Sequence, residues 1–249
     1  MQGKEGRLGS TVYSKRIACR GLAIHVGLAY AELYGEEPKL CIRDCHSEED
    51  RLVLVLGLSS LWGCDKELVG EAIASVKGYL GLNGIVEIEV DCSNECNKTM
   101  QGMLREISEE FIEHYMLDLR RNTIAHKKEY FMLVTWNGLH VIGRGEEDHI
   151  RIPLVRGPVF AHTHTSGSCI PSHKDILSMQ DFLAEGGLVE AIVGLDCVLI
   201  AETLGLSEED YWALQEIASC LQRKERDYLY TCSQKLFRLK TVNIYIRAI

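Results

Sequence analysis

Residues 159–175 have the sequence VFAHTHTSGSCIPSHKD, and this stretch decides how the chain is interpreted. Side chains at alternate positions of a strand point the same way, so a strand ending here presents His162 and His164 to one point. A turn follows, and Ser172 then opens a helix whose first turn contains Asp175. The order strand, turn and helix start therefore predicts that two imidazoles and one carboxylate meet.

This set of side chains is typical of an open catalytic zinc site, in which three protein ligands leave the fourth position for water. Zinc lowers the pKa of such a water towards neutrality and polarises a bound carbonyl. Each residue also has a structural interpretation: Ser172 and Asp175 alone could form a capping box, and either histidine alone could be a hydrogen-bonded structural residue. The joint arrangement favours zinc bound by His162, His164 and Asp175.

The same residues resemble the signature of the JAMM metalloproteases, also called MPN+ or JAB domains: His-x-His, seven residues, then Ser-x-x-Asp. The similarity extends to Cys169 and Pro171 in the turn and covers roughly residues 100–249. Members are zinc-dependent isopeptidases that remove ubiquitin or ubiquitin-like proteins, and bacterial and archaeal relatives act on small sulfur-carrier or modifier proteins. The resemblance thus implies amide-bond hydrolysis at the C-terminal tail of such a protein. One departure is Thr165, where many members have proline.

The resemblance also implies further roles. A glutamate on the strand after the first helix of the family would be the general base, and Glu129 has that position. Glu146 and Glu147 are alternatives, but they lie in a Gly-rich loop without that context. Ser172 would donate a hydrogen bond to the developing oxyanion.

A disulfide is a further implication of the resemblance. In relatives, a cysteine at the position of Cys169 can pair with one on a neighbouring strand, and Cys197 is the best-placed partner here.

Other functions compete with this interpretation. Amidohydrolases and related phosphoesterases also use His-x-His at a strand end, but they need a barrel of roughly 200 residues after it. Only 85 residues follow His164, so on length we do not expect a member of either class. RadC-like proteins have asparagine between the histidines, where this chain has Thr163. A non-catalytic MPN-type scaffold remains open, although such scaffolds usually lack some of the ligands.

The composition narrows the possible partners. The chain has 249 residues and a formal net charge of −9, which argues against nucleic acid as the main partner. The longest apolar stretch, Leu22–Leu33, is too short to cross a bilayer and is interrupted by His25 and Glu32. The first residues lack the apolar segment of a secretory signal, so we expect a cytoplasmic protein.

The patterning predicts an α/β fold: a mixed sheet flanked by helices, JAB/MPN-like by the resemblance, preceded by an additional N-terminal α/β region. We place the boundary between residues 1–98 and residues 99–249, at a polar stretch. The N-terminal region matches no motif; it could position a substrate, mask the site or mediate self-association as a homo-oligomer. Apolar periodicity predicts a long helix from Met100 to about Arg121, and Asn137-Gly138 between apolar runs predicts a hairpin.

Ten cysteines is a high number for a cytoplasmic chain of this length. Two pairs share one spacing, Cys41-x3-Cys45 and Cys92-x3-Cys96. Three interpretations compete: a structural zinc site, disulfides like those of intracellular hyperthermophile proteins, and buried thiols. Structural zinc sites more often space paired cysteines by two residues, so the pattern favours thiols or disulfides over zinc.

Overall fold

The structure is a computed structural model that describes residues 7–49, 51–61, 63–92, 95–145, 156–222 and 226–249. The described residues divide into two compact units that alternate along the chain. The N-terminal unit takes 9–110 and 134–140, and the C-terminal unit takes 7–8, 111–133 and 141–249.

Helices and strands are interspersed along the chain, as in other mixed α/β proteins. The helices are α1 (Val12–Tyr34), α2 (Lys66–Leu80), α3 (Met100–Phe111), α4 (Leu117–His126), α5 (His173–Ala184), α6 (Glu208–Gln222) and α7 (Arg226–Leu236), and a π-helical turn, Ile112–Met116, joins α3 to α4. The strands are β1 (Arg7–Ser10), β2 (Lys39–Glu48), β3 (Arg51–Ser59), β4 (Val86–Cys92), β5 (Tyr130–Val134), β6 (Leu139–Arg144), β7 (Val159–Thr163), β8 (Val189–Val193), β9 (Cys197–Thr203) and β10 (Val242–Ala248).

The N-terminal unit contains a three-stranded mixed sheet in the order β2-β3-β4. Strand β3 pairs antiparallel with β2 and parallel with β4. Alternate residues of β3 are fully buried: Leu52, Leu54, Leu56 and Leu58. Thr11 caps α1 by accepting a hydrogen bond from the Ser14 amide. The Ser14 hydroxyl donates to the carbonyl of Gly138, 2.7 Å away, which holds residues 134–140 to this unit.

A second sheet has seven strands in the order β1-β6-β5-β7-β8-β9-β10. Strands β7 and β8 run parallel, whereas β8, β9 and β10 pair antiparallel in sequence, so this sheet is mixed as well. Helices α5, α6 and α7 pack on it through one apolar cluster that includes Ile176, Met179 and Leu214. Helix α5 thereby covers the face of β7 and β8 on which the candidate site lies.

The predicted element types are confirmed over most of the chain. The long helix after residue 99 is present as α3, the π-helical turn and α4, and Asn137-Gly138 forms the β5–β6 hairpin. The sequence pattern did not predict β1, β2 or α7. Asn83-Gly84 predicts the end of the second helix, but α2 ends at Leu80 and the left-handed Gly81 caps it. The apolar residues 150–155 predict a further strand, and they lie outside the described residues.

The units divide the chain elsewhere than the predicted boundary at residue 98. Helix α3 belongs to the N-terminal unit up to Glu110. Charge pairing with α1 explains this, because Arg20 contacts both Glu106 and Glu110.

The cysteines form disulfides, which answers the question that their spacing left open. The five bonds are Cys19–Cys45, Cys41–Cys96, Cys64–Cys92, Cys169–Cys197 and Cys220–Cys232. The pairing of Cys169 with Cys197 is confirmed. Residues of one C-x3-C pair bond to different partners, so the repeated spacing did not mark a common site.

Within the described parts of the chain, no helix combines the length and the apolar character needed to cross a bilayer.

Candidate metal centre

Strand β7 brings the two predicted histidines together. His162 is on the strand and almost fully buried, and His164 follows its last residue. The backbone amide of His164 donates to the Val193 carbonyl at 3.0 Å, which extends the β7–β8 pairing past the strand end. The extended backbone keeps the two side chains on one face, and their Nε2 atoms lie 3.2 Å apart.

Asp175 completes the cluster from the first turn of α5. Its Oδ1 lies 3.2 Å from Nε2 of His162, and its Oδ2 lies 3.2 Å from Nε2 of His164. The Ser172 amide donates to Oδ2 at 2.6 Å, and the Asp175 amide donates to Oγ of Ser172 at 3.3 Å. The capping box and the metal-ligand arrangement therefore coexist, because the cap orients the carboxylate towards the histidines.

The spacing of these atoms fits zinc. Zn–N and Zn–O bonds are about 2.0–2.1 Å, so two ligands of a tetrahedral ion lie about 3.3 Å apart. The two Nε2 atoms are 3.2 Å apart, close to that value, and each lies 3.2 Å from a different oxygen of the Asp175 carboxylate. Within the described residues, His162, His164 and Asp175 are the only group of three or more His, Cys, Asp or Glu side chains that lie close enough together to bind one ion.

Hydrogen bonding sets the charge state of the cluster. Burial opposes the ionised form of Asp175, but hydrogen bonds from His162 and His164 outweigh it and hold the carboxyl pKa well below its usual range. Burial also lowers the pKa of His164, yet its hydrogen bond with Asp175 raises that pKa above the usual value. A cation and a proton therefore compete for the same nitrogen.

The turn after His164 fixes its tautomer. Nδ1 of His164 lies 2.9 Å from the carbonyl oxygen of Ser168, which can only accept a hydrogen bond. A proton on Nδ1 leaves the lone pair of Nε2 free for a metal. Gly167 has a left-handed φ of 81°, and a Cβ there would lie 2.7 Å from a side-chain atom of Leu195. The Cys169–Cys197 disulfide joins the same turn to β9.

Thr163, between the histidines, is a residue whose role sequence reasoning missed. Its side chain points to the opposite face and is fully buried. Oγ1 of Thr163 accepts from the backbone amide of Tyr130 at 2.9 Å and lies 2.6 Å from Oγ1 of Thr123 in α4. Thr163, the middle residue of the His-x-His motif, thus connects the start of β5 to β7. The alternation of side chains along a strand could have predicted that it faces away from the histidines.

Glu129, the predicted base, lies in the link between α4 and β5, directly before Tyr130. It is half-buried, and burial raises its carboxyl pKa. The nearby His164 and His162, and a hydrogen bond from the Thr165 amide, act in the opposite direction. These interactions place Glu129 beside the cluster, and its predicted role stays a prediction. Residues 146 and 147 lie outside the described residues.

Glu190 is a buried acidic residue that interacts electrostatically with Asp175 of the cluster and that the sequence did not predict. It is on β8 opposite Phe160 and is fully buried, and among the residues that the structure describes neither of its carboxyl oxygens has a hydrogen-bond partner. Burial raises its pKa well above the ordinary value, and the charge of Asp175 adds to this. Sequence reasoning did not single it out, because alternation alone does not mark one glutamate in a strand as functional.

No family model, curated protein or solved structure matches the chain.

Proposed function

We propose that the chain is a zinc-dependent metallopeptidase or isopeptidase that hydrolyses an amide bond at the C-terminal tail of a ubiquitin-like or sulfur-carrier protein. The observation that supports this most directly is the cluster of His162, His164 and Asp175, in which the two Nε2 atoms lie 3.2 Å apart and each lies 3.2 Å from an oxygen of the carboxylate. The resemblance of residues 162–175 to the JAMM signature supports the reaction class and a JAB/MPN fold for the C-terminal unit.

The chain's own residues have distinct tasks in this proposal. Zinc at the cluster would supply a Lewis acid that activates water and polarises the scissile carbonyl. Glu129 accepts the proton of the attacking water and returns it to the leaving amine; a carboxyl of raised pKa is suited to both steps. The Ser172 hydroxyl, beside Asp175, donates to the oxygen that gains negative charge.

The cellular setting belongs to the same proposal. We place the chain in the cytoplasm, where its modifier or carrier substrates would be found, and keep nucleic acid outside its partners. Five disulfides are unusual in a reducing cytosol and taken alone favour another location. Intracellular proteins of hyperthermophiles are an exception, and the proposal takes this chain to be a protein of that kind.

The deciding experiment uses the full chain loaded with zinc. It is incubated with fusions of ubiquitin-like and sulfur-carrier proteins, some joined through a linear peptide bond and others through a lysine isopeptide bond. We expect cleavage after the modifier's last residue that stops with a chelator and returns with added zinc. His164→Ala should be inactive, whereas His173→Ala, which alters a neighbouring histidine outside the cluster, should cleave normally.

A chain that binds zinc at the cluster but cleaves none of these fusions would contradict the proposal and favour the MPN-type scaffold instead. Cleavage that survives in His164→Ala would contradict the site.

A further inference from the structure

The N-terminal unit contains a cavity of 250 Å³ whose lining residues have no part in the function proposed above. Arg16 and Arg20 of α1 line it, together with Lys98 and with Met103 and Glu106 of α3. The volume is just below the range of about 300–1,000 Å³ that is typical of ligand pockets, so it suits a small molecule.

The charges around this basic cavity do not balance. Arg16 and Arg20 are one helical turn apart and face Glu106 and Glu110, which are also one turn apart. Nε of Arg16 lies 3.2 Å from Oε1 of Glu110, Nε of Arg20 donates to Oε2 of Glu106 at 2.9 Å, and Arg20 also pairs with Glu110. Lys98 pairs with Glu106 as a third cation, so the group has one positive charge in excess.

Arg16 and Arg20 have guanidinium nitrogens that do not contact the two glutamates. Their contacts with the two glutamates use both Nε atoms and one terminal nitrogen of Arg20. Within the described chain, no hydrogen bond engages the other three guanidinium nitrogens. Arg16 and Arg20 both line the cavity, so these three nitrogens are the donors that a ligand in it could use.

Burial differs between the charges of this group. The side chains of Arg20 and Glu110 are only 13% and 7% exposed, so water screens them poorly, whereas Arg16 and Lys98 are about half exposed. An anion would remove the excess charge and accept from the free donors, and planar guanidinium groups match carboxylate and phosphate oxygens in pairs.

Disulfides join the walls of the cavity. Cys45, which lines it, bonds to Cys19 of α1, and Cys41, which also lines it, bonds to Cys96, two residues before Lys98. Two of the walls and the segment that carries Lys98 are therefore linked covalently. A ligand would not have to order them, and binding would lose less conformational entropy.

We propose that this cavity binds a small oxyanion, a phosphate- or carboxylate-bearing molecule, through Arg16, Arg20 and Lys98. The site lies wholly in the N-terminal unit and is independent of the proposed peptidase activity.

The test is calorimetric titration of the full-length protein with inorganic phosphate and, separately, with succinate, at one fixed ionic strength. We expect saturable binding of at least one probe with one site per chain; the probe that binds identifies the preferred oxyanion. Arg16→Gln should weaken binding at least tenfold, and Lys98→Gln should act in the same direction. Both side chains are about half exposed, so both variants should fold.

Arg105→Gln is the matched control, because it removes the same charge from an exposed position of α3 that does not line the cavity. It should bind as the parent does. Absence of saturable binding of both probes would overturn the proposal. So would unchanged binding in Arg16→Gln, or an equal loss in Arg105→Gln, since the latter would indicate attraction by net charge alone.

Discussion

The Nε2 atoms of His162 and His164 lie 3.2 Å apart, a separation at which the two nitrogens point at one another with Asp175 beside both. Two imidazoles can share such a point through one N–H···N hydrogen bond, and the Asp175 carboxylate can accept a hydrogen bond from either ring. A divalent cation would use the same point, since each neutral imidazole offers it a lone pair. Several consequences of this geometry can be measured.

The first prediction concerns metal content. The purified protein should contain about one zinc ion per chain, as expected for a site with three protein ligands. His162→Ala, His164→Ala and Asp175→Ala should each lose it, because two ligands are too few to retain the ion. Elemental analysis after dialysis measures this, and His173→Ala is the control. If all three variants kept a full zinc content, the zinc would have to bind at another site.

The second prediction concerns the base. Glu129→Gln should keep the zinc and the fold yet lose most of the hydrolysis, because the nearly isosteric amide cannot accept a proton from the attacking water. The measurement is the initial rate on a ubiquitin-like fusion, with Glu216→Gln on the exposed surface of α6 as the charge-matched control. Hydrolysis by Glu129→Gln at the parent's rate would return attention to Glu146 and Glu147.

The third prediction separates two roles of Ser172. Ser172→Ala should lower the rate by about 10²-fold, the scale of one lost oxyanion donor. It should also lower the free energy of unfolding by about 1 kcal/mol, since the Asp175 amide loses its cap. Ser172→Gly should restore most of the stability but none of the rate, because glycine is a tolerable cap without a hydroxyl. If glycine restored both, Ser172 would act only as a cap.

The fourth prediction concerns Glu190 and pH. Its pKa is raised in the folded protein, so between the ordinary carboxyl value and the raised one the folded state holds a proton that the unfolded state releases. Stability contributed by this group is therefore present at low pH and is lost as pH rises. We expect the metal-free parent to lose stability between pH 5 and pH 8 relative to Glu190→Gln, because the buried carboxyl must give up its proton in the folded state.

Urea unfolding at both pH values measures this difference, and comparison with Glu190→Gln cancels the contributions of other titrating groups. Glu216→Gln should follow the pH dependence of the parent. A parallel response of parent and Glu190→Gln would mean that Glu190 titrates normally and is therefore solvated in solution.

Some features could be predicted from the sequence because they depend on neighbours along the chain. A period of two placed His162 and His164 on one face of β7, and the helix start at Ser172 placed Asp175 in the first turn of α5. The Asn137-Gly138 hairpin and the long helix from Met100 are equally local, since turn geometry and apolar periodicity are set within a few residues.

Other features depend on contacts between distant parts of the chain, and only the tertiary structure decided them. The spacing of the cysteines along the chain could not decide whether they form disulfides. A disulfide needs two Cα atoms within about 7 Å, and only the fold brings them together. The cavity charge arises where α1 meets α3, and no local pattern relates Arg20 to Glu106 and Glu110.

Glu190 shows the same limit most clearly. The sequence shows a glutamate within an otherwise apolar strand. Because side chains alternate between the two faces of a strand, Glu190 could have faced either water or the core. Pairing with Phe160 on one side and Ala201 on the other placed it in the core, where no described residue forms a hydrogen bond with its carboxyl group. The ionisation of a carboxyl depends on the atoms around it in space, and those atoms belong to three other elements of the fold.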